Sequence, residues 1–327
     1  MKPWNQLTER GKFRRLRTLA AAALANYAVG DYRMRLVGGF ANVIYRIDTA
    51  SATYALRVDY LQDHTDADVA VELDWLASLE DTDLDVCRVI PTVNGGRSVY
   101  ASGDGIPNPR RCVLFEWIPG KPLAEDMTPD RYEQLGSLAA RLHVAGADYQ
   151  PPSMPMAWDQ VFYWQEPIDP VVYHLDEHAH HFVGGRRELL DRAIETVTPA
   201  FAQLDPSKAQ IIHADLHPWN VHVSRSRMIA LDFEDVAWGH RIQDIAITLF
   251  YHRNEPGFDE LQTAFESGYR AVAQWPLDYE GQIETFVAAR TIMFINFMLN
   301  LGEDPTEFYD RAFPRLENLL DHIPSTG

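Results

Sequence analysis

Three side chains whose oxygen atoms suit metal ions stand close together in one segment. Asp215 is followed five residues later by Asn220, and Asp232 comes after a short apolar run. Carboxylate and amide oxygens suit Mg2+, which keeps waters and phosphate oxygens and needs few ligands from the protein. A carboxylate in the same place can also orient a hydroxyl group and take its proton. The pattern therefore indicates chemistry on a hydroxyl group beside a divalent cation.

The order of these residues matches phosphoryl transfer. Kinases place an acceptor-orienting carboxylate first and two Mg2+ ligands after it, and Asp215, Asn220 and Asp232 follow that order. The transition state is loose, so such a protein mainly holds the metal, the triphosphate and the acceptor in line. We predict that Asp215 orients and deprotonates the acceptor and that Asn220 and Asp232 bind Mg2+.

Two other interpretations fit the same segment. His213, Asp215 and His217 form an H-x-D-x-H spacing of the kind seen in zinc sites, although no further set of ligands is clear. The histidines within 178–181 are typical of a solvated helix face. Asp and Asn side chains can also cap the backbone of an ordinary hairpin. A metal hydrolase and a purely structural turn therefore stay open beside a kinase.

Apolar runs on both sides of the motif predict the elements that hold it. Residues 209–212 precede it, and 221–223 and 228–231 follow. Each run has the length and composition of a short buried strand. Three short strands would keep the polar side chains in fixed positions.

The upstream half contains a hairpin with two glycines. Runs at 34–37 and 43–47 predict two strands, joined by a segment that contains Gly38, Gly39 and Asn42. Glycines let backbone amides approach phosphate oxygens without a side chain in the way. We predict that this segment covers the phosphates of a nucleotide.

The next two elements supply a cation and a carboxylate. A strand over 53–58 carries Arg57, at the place where kinases have the lysine that reaches the nucleotide phosphates. Arginine keeps its charge and offers a forked donor that can grip a phosphate and a carboxylate together. The apolar period predicts a helix over 66–79, which carries Glu72 as a partner for Arg57. The alternative is an exposed strand arginine and a solvated glutamate.

A further apolar strand precedes a proline and a glycine. The run 112–118 predicts a buried strand that stops at Pro119 and Gly120. An extended segment after a strand leaves backbone amide and carbonyl groups without strand partners. We predict that the backbone groups of Glu116 and Ile118 bind the adenine edge of ATP.

In their order along the chain, these pieces resemble the aminoglycoside phosphotransferase-like family of kinases. This family also holds choline kinases, type II homoserine kinases and the stress-response kinases of bacteria. The arginine strand and the D-F-E-D turn are most similar to the homoserine-kinase-like and stress-kinase-like members. The matching segments span residues 34 to 246, about two thirds of the chain, and they are G-G-F-A-N-V-I-Y-R-I, Y-A-L-R-V, L-F-E-W-I-P-G-K-P-L, L-A-A-R-L-H, H-A-D-L-H-P-W-N and L-D-F-E-D-V-A-W-G.

The resemblance implies an α+β, bilobal protein-kinase-like fold with a small β-rich N-terminal lobe and a larger, mainly helical C-terminal lobe. It implies ATP and Mg2+ as cofactors and a hydroxyl group as the phosphate acceptor. It also implies that Asp244 holds the backbone of the loop from His213 to Asp215, so these residues join the catalytic set.

Domain boundaries follow from these placements. We expect the nucleotide-clamping lobe at 1–115, the hinge at 116–123 and the helical lobe at 124–327. The stretch 150–170 contains five prolines, so it cannot form one helix. Its aromatic residues could line an acceptor pocket or pack as an ordinary loop.

Two departures from the family bear on the acceptor. Trp219 stands where many relatives carry glycine, so we expect a different rim of the acceptor pocket. Only eleven residues separate Asp232 from Asp244, without an Ala-Pro-Glu segment. A protein kinase needs a long activation loop there, so we predict a small-molecule acceptor. The alternatives are a protein Ser/Thr kinase of the stress-response type and a non-catalytic nucleotide-binding pseudokinase, which Arg57 keeps open.

Charge is distributed unevenly along the chain. The net charge of −18 argues against a nucleic-acid partner, whose phosphates need a basic surface. Residues 254–327 hold thirteen acidic residues and four arginines, which could attract a cationic acceptor or only keep the surface soluble. The basic segment 13–17 is expected in a helix on the small lobe rather than at a membrane.

The cysteine content and the lengths of the apolar runs indicate the cellular compartment of the protein. The two cysteines are too few for a disulfide framework and are expected in the core. No signal peptide is visible, and the apolar run 291–301 is too short to span a membrane. We therefore expect a cytoplasmic enzyme without a membrane partner, and we predict no oligomeric state.

Overall fold

Short strand-like patterns dominate the first part of the chain, and helical periods dominate the second. A computed structural model describes residues 2–163, 170–225, 227–253, 256–302 and 304–323. Within these residues the strands are β1 (Tyr32–Gly39), β2 (Asn42–Thr49), β3 (Thr53–Asp59), β4 (Val99–Ala101), β5 (Arg110–Glu116), β6 (Lys121–Pro122), β7 (Gln210–Ile212), β8 (Val221–Ser224), β9 (Arg227–Ala230) and β10 (Ala237–Gly239). The α-helices are α1 (Glu9–Leu24), α2 (Asp66–Leu79), α3 (Pro129–Ala147), α4 (Arg186–Ala202), α5 (Arg241–Phe250), α6 (Phe258–Arg270), α7 (Gln282–Asn300) and α8 (Thr306–Leu320).

The chain divides into two compact units. The first consists of Met1–Val69 and Leu73–Pro119, and the second of Ala70–Glu72 and Gly120–Gly327. The first unit contains an antiparallel sheet, and the second is mainly helical. The predicted α+β class is therefore confirmed.

The first unit is built on a five-stranded sheet in the order β1-β2-β3-β5-β4. Strand β2 alternates: Val43, Tyr45 and Ile47 are buried, and the residues between them are only partly covered. Successive side chains of a strand point to opposite faces, so this alternation gives the sheet an apolar face. Helix α1 contributes Phe13 and Leu16 to the same core. The prediction that the basic N-terminal segment forms a helix on this unit is therefore confirmed.

The β1–β2 hairpin differs in detail from its prediction. The strands are longer than expected, so Gly38 and Gly39 lie inside β1 and the turn consists of Phe40 and Ala41. The strand register shifts next to Gly38. A Cβ atom on Gly39 would lie 2.9 Å from the carbonyl oxygen of Asn42, so this close approach requires glycine.

The next helix and strand lie close to their predicted bounds, whereas β5 is shifted by two residues at both ends. Helix α2 has its predicted bounds, and β3 extends one residue further, to Asp59. Strand β5 begins two residues earlier than predicted because Arg111 is neutralised there, 2.7 Å from Asp66 and 3.6 Å from Asp59. A charge can be buried when it is paired. The strand also ends two residues early, at Glu116.

The second unit combines helices α3 to α8 with two small sheets. One sheet pairs β10 with β7, and the other has the order β6-β8-β9. The three strands predicted around the motif are β7, β8 and β9, each within one residue of its predicted bounds. The elements that hold the motif are therefore confirmed.

Helices α3 and α6 approach each other at two glycines. A Cβ atom on Gly136 would lie 1.9 Å from the carbonyl oxygen of Phe265. One on Gly268 would lie 1.7 Å from the carbonyl oxygen of Glu133. The two helices therefore touch backbone to backbone, which a larger side chain would prevent. This contact brings side chains of α6 next to those of α3.

The apolar run 291–301 is mainly buried and the two cysteines are buried, as predicted. Residues 291–301 lie almost entirely in α7, whose central residues are buried. Across the part of the chain that the structure describes, no helix is long and apolar enough to cross a membrane. Cys87 and Cys112 are buried free thiols, as predicted.

The proline-rich stretch is described up to Tyr163. Trp158 is buried there against the rings of Phe201 and Phe286. This part of the stretch therefore packs as a loop against α4 and α7. Trp164 and the rest of 164–169 lie outside the described residues.

Candidate active site

The loop 213–220, between β7 and β8, carries the predicted base. Asn220 closes a ring onto Asp215: its Nδ2 donates to the Asp215 carbonyl (3.0 Å) and to Oδ2 of the carboxylate (2.9 Å). The N–H of Asn220 also donates to the carbonyl of His217 (2.8 Å), which tightens the turn. Because the amide nitrogen is used on Asp215, Oδ1 of Asn220 is the atom suited to a cation.

Asp232, the third residue of the motif, follows β9. The carbonyl of Asn220 accepts a hydrogen bond from the N–H of Leu231 (2.8 Å), which places Asp232 beside the β7–β8 loop. Asp232 is exposed and has a left-handed φ of 60°. That conformation costs a residue other than glycine about 1–2 kcal/mol, and such strain is concentrated at functional sites. An amide oxygen and an exposed carboxylate fit a hard divalent cation.

Both histidines of the motif are engaged in hydrogen bonds. His213 donates from Nε2 to the Leu231 carbonyl (3.0 Å), and its Nδ1 accepts from the N–H of Asp215 (3.3 Å). His217 lies with Nε2 3.3 Å from Oδ2 of Asp215, and its Nδ1 accepts from the N–H of Trp219 (3.2 Å). All four ring nitrogens are therefore in use. Among the residues described, no group of three His, Cys, Asp or Glu could hold a metal ion, so the zinc interpretation has no support.

Asp244, on the first turn of α5, binds the backbone of the 213–220 loop through its carboxylate. Its carboxylate accepts from the N–H groups of His213 (3.2 Å) and Ala214 (2.8 Å). It also accepts from Nε2 of His143 (3.0 Å), whose Nδ1 accepts from the hydroxyl of Tyr269 (2.8 Å). Ala214 has a left-handed φ of 60°, which these bonds maintain.

Charge and burial oppose each other at Asp244. Burial acts to raise the pKa of this carboxyl group, but the hydrogen bonds from His143 and from the backbone N–H of Ala214 outweigh it. The pKa of Asp244 is therefore below its ordinary value. An ionised carboxylate is the form that can accept three hydrogen bonds.

Sequence reasoning missed Arg290, on α7. Its Nη2 lies 3.0 Å from Oδ1 of Asp215, and its Nη1 donates to the hydroxyl of Tyr163 (3.0 Å). Burial acts to raise the pKa of Asp215, but the hydrogen bond from His217 and the charge of Arg290 lower it below the ordinary value. The sequence does contain a signal for Arg290, because it is the one charged residue in the apolar stretch 285–300.

Aromatic rings lie near the Oδ1 side of Asp215. The hydroxyl of Tyr251 lies 3.5 Å from Oδ1 of Asp215. Trp219 is 50% exposed, and its ring stacks on His252 with centroids 4.8 Å apart. The Tyr251 ring lies 6.0 Å from that of Trp219 and 4.5 Å from that of His217. One face of Trp219 is thus covered by His252, while half of the residue is exposed.

Arg57 and Glu72 are both buried. Arg57 lies in β3, with its guanidinium carbon 5.2 Å from the ring centre of Phe115. Glu72, on α2, is 1% exposed and groups with the second unit. The alternative of an exposed arginine and a solvated glutamate is therefore wrong.

The other predicted nucleotide-binding residues lie in the first unit. Gly38, Gly39 and Asn42 lie at the end of the β1–β2 hairpin. Glu116 ends β5, and its N–H donates to the Arg88 carbonyl (2.8 Å). Of the Glu116 backbone groups, the carbonyl is therefore the one suited to adenine. Ile118 follows two residues later, outside the strand.

Known proteins with similar sequences and structures fit this arrangement. The sequence model of the phosphotransferase enzyme family matches residues 34–276. Amicoumacin kinase of Bacillus subtilis (strain 168) is 22% identical over 264 residues, covering 76% of this chain and 74% of that protein. A microcompartment-associated aminopropanol kinase has a TM-score of 0.73 and 25% identity, covering 92% of this chain and 94% of that chain. The amicoumacin kinase hAmiN, solved with AMP-PNP, Ca2+ and Ami, also reaches a TM-score of 0.73, at 17% identity, covering 96% and 94%.

These similarities confirm the predicted protein-kinase-like fold and the predicted family. The matched region contains most of the β1–β2 hairpin, the β7–β8 loop and α5. The chain belongs to the phosphotransferase enzyme family, and its predicted activity, phosphoryl transfer to a hydroxyl group of a small molecule, is confirmed at the level of that family.

Proposed function

We propose that this phosphotransferase moves the γ-phosphate of Mg-ATP to a hydroxyl group of a small acceptor that carries an amine. Asp215 orients the acceptor and takes its proton, and Asn220 and Asp232 hold Mg2+. The observation that carries this proposal is the bond of 2.9 Å between the Asn220 amide and the Asp215 carboxylate. Through that bond, one short side chain positions both the metal-facing oxygen and the base.

The chain contributes positioning and charge to the reaction. When bound, Mg-ATP supplies the phosphoryl group, and its metal ion neutralises the developing charge. Asp215 receives the acceptor proton late in the transfer, when even an ordinary carboxylate is basic enough. His213 and Asp244 keep the loop backbone still, so the carboxylate holds its place during the step.

Nucleotide binding in this proposal belongs mainly to the N-terminal part. The proposed contact residues are Gly38, Gly39, Asn42, Arg57, Glu72, Glu116 and Ile118. Arg57 serves the α- and β-phosphates in place of a lysine, since its charged fork suits phosphate oxygens. We retain residues 1–115 as the proposed nucleotide-clamping lobe, 116–123 as the hinge and 124–327 as the helical lobe. We also propose that the enzyme is cytoplasmic.

Three observations support an acceptor with an amine. Trp219 is half exposed and lies next to Tyr251, whose hydroxyl is 3.5 Å from the base, and aromatic faces attract cations. The segment 254–327 is strongly acidic, which favours approach of a cation. Aminopropanol, the compound named for one structural relative, combines an amine with a hydroxyl group. We therefore expect the amine to rest against Trp219 while the hydroxyl group meets Asp215.

The test is ADP release from Mg-ATP with a panel of acceptors. The panel comprises amino alcohols, aminoglycosides, homoserine, choline, sugars without an amine and a generic protein. We expect one or more amine-bearing alcohols to raise ADP release well above the rate with water. An Asp215→Asn variant should lose that stimulation, with turnover reduced about 10^2- to 10^4-fold, as for a lost positioned base.

Binding measurements separate the possible outcomes. The Asp215→Asn variant should still bind Mg-ATP, whereas Asp232→Ala should lose the metal-dependent part of nucleotide binding. Stimulation by the protein acceptor alone would favour a protein kinase. Binding of Mg-ATP without turnover for any acceptor would favour the pseudokinase and contradict the proposal.

A further inference from the structure

Arg290 is a buried charged residue in contact with the candidate base. It is 4% exposed and stands in the middle of α7, among apolar residues. Its guanidinium carbon lies 4.9 Å from the ring centre of Phe294. Its two terminal nitrogens each lie 3.0 Å from an oxygen, one of Asp215 and one of Tyr163. The plane of the guanidinium group is therefore fixed on both sides.

Each oxygen of the Asp215 carboxylate has two contacts, which differ in length. Oδ2 lies 2.9 Å from Nδ2 of Asn220 and 3.3 Å from Nε2 of His217. Oδ1 lies 3.0 Å from Nη2 of Arg290 and 3.5 Å from the hydroxyl of Tyr251. Each carboxylate oxygen has two acceptor sites. The loosest of the four contacts is the one to Tyr251, so a new donor is accommodated most easily at Oδ1.

We propose that Arg290 is a positioning residue, which holds Asp215 in the orientation where Oδ1 meets the acceptor hydroxyl beside Tyr251. This inference rests on the proposed function. In the transfer, the acceptor O–H bond breaks and its proton goes to Oδ1. The acceptor oxygen forms a bond to the γ-phosphorus, while the bond from that phosphorus to the β–γ bridging oxygen breaks and leaves its electron pair on ADP. Arg290 exchanges no proton in this step.

Arginine suits this task better than lysine. Its rigid fork reaches Asp215 and Tyr163 together and keeps its charge at any ordinary pH. It also supplies a positive charge within 3.0 Å of a carboxylate that is largely buried. A displacement of a catalytic group by about 1 Å costs about 10^2-fold in rate. Loss of Arg290 should therefore affect turnover far more than nucleotide binding.

The experiment compares Arg290→Met, Arg290→Lys and Tyr163→Phe in ADP formation from Mg-ATP, with the best acceptor and with water alone. We expect Arg290→Met to lower kcat about 10^2-fold while KM for ATP stays within about twofold. Arg290→Lys should retain part of the turnover, since it keeps the charge. Tyr163→Phe should have a smaller effect, since it leaves the bond to Asp215. If Arg290→Met fails to fold, the other two variants still report on the proposal.

Arg186 provides a matched control. It lies on α4 over the ring of Phe313 (5.3 Å) and pairs with Asp310, so it has one aromatic and one carboxylate contact, as Arg290 does, but it is more exposed. Arg186→Met should leave kcat unchanged. Equal kcat in Arg290→Met and the wild type would overturn the inference.

A double variant separates positioning from a general structural role. If Arg290 acts through Asp215, adding Arg290→Met to Asp215→Asn should change the residual rate by less than about threefold, because residues that act as a unit are not additive. A further loss as large as in the wild-type background would refute the role. A wild-type protein that forms no ADP with any acceptor or with water would overturn the proposed function and this inference with it.

Discussion

Tyr269 on α6 donates a hydrogen bond to His143 on α3 (2.8 Å), and the opposite nitrogen of that ring lies 3.0 Å from Asp244. Asp244 in turn binds the backbone of the loop that carries the candidate base. A continuous series of hydrogen bonds thus runs from α6 to the β7–β8 loop. We therefore expect a substitution at the α3–α6 contact to alter the position of Asp215, although it changes no residue proposed to bind the nucleotide, the metal or the acceptor.

Gly268→Ala tests this connection. The added Cβ would lie 1.7 Å from the Glu133 carbonyl oxygen, so the helices must separate. We expect a loss of about 1–3 kcal/mol in the free energy of unfolding, as for overpacked cores. We also expect a lower kcat at temperatures where the variant is folded. Urea unfolding and steady-state kinetics measure both, with the exposed neighbour Ser267→Ala as a control that should change neither. Unaltered stability in Gly268→Ala would contradict the close approach.

Asp244→Asn should destabilise the protein. The variant cannot accept all of the hydrogen bonds from His143, His213 and Ala214, so buried donors lose their partner. We expect a loss of about 3 kcal/mol in the free energy of unfolding at pH 7. Denaturant unfolding at several pH values measures it.

The pH dependence of that loss follows from the lowered pKa of Asp244. A carboxyl group with a lowered pKa in the folded state stabilises the protein above its unfolded pKa, which is about 4. The stabilisation disappears as the pH falls from there through the folded pKa. The difference between wild type and Asp244→Asn should therefore be the same at pH 7 and pH 5 and should shrink below about pH 4. A difference that stays constant to pH 3 would show that ionisation of Asp244 is not its source.

Two substitutions at Asn220 separate its two proposed roles. Asn220→Ala removes both the metal-facing oxygen and the donor to Asp215, so we expect a lower kcat and about a 10-fold higher Mg2+ concentration for half-maximal turnover. Asn220→Asp keeps an oxygen ligand but places a second negative charge beside Asp215. It should therefore bind the metal yet lose turnover. Wild-type turnover in Asn220→Asp would mean that the bond to Asp215 is dispensable. Magnesium titrations of ADP release measure both effects.

Trp219→Ala tests the acceptor wall. Removal of the ring should raise KM for an amine-bearing acceptor about 10-fold, the scale of a cation–π contact that excludes water. KM for ATP should not change. Trp219→Phe should retain most of the affinity because it keeps an aromatic face. An equal increase in KM for an acceptor of the same shape without the amine would argue against recognition of the cation.

Much of the site was predictable because its residues are close in sequence. Asp215 and Asn220 are joined by bonds within one loop, and the flanking strands follow from local apolar runs. Helix α2 could be placed to the residue because its apolar period is regular. The Gly38–Gly39 segment was less predictable, since a strand register shift places both glycines inside β1.

Residues from distant segments could not be placed from spacing. Arg290 is 75 residues from Asp215, and Tyr251 is 36 residues away. They meet because α5 and α7 pack together, a tertiary contact that no local period encodes. The start of β5 was missed for a related reason, since the buried Arg111 pairs with Asp66, 45 residues earlier, and with Asp59.

The amide protons of His213 and Ala214 belong to an irregular loop, yet both are bound by a carboxylate that is 1% exposed. They can reach solvent only when α5 releases the loop. Their hydrogen–deuterium exchange should therefore follow global unfolding, like that of the core helices, rather than the rapid local opening of a surface turn.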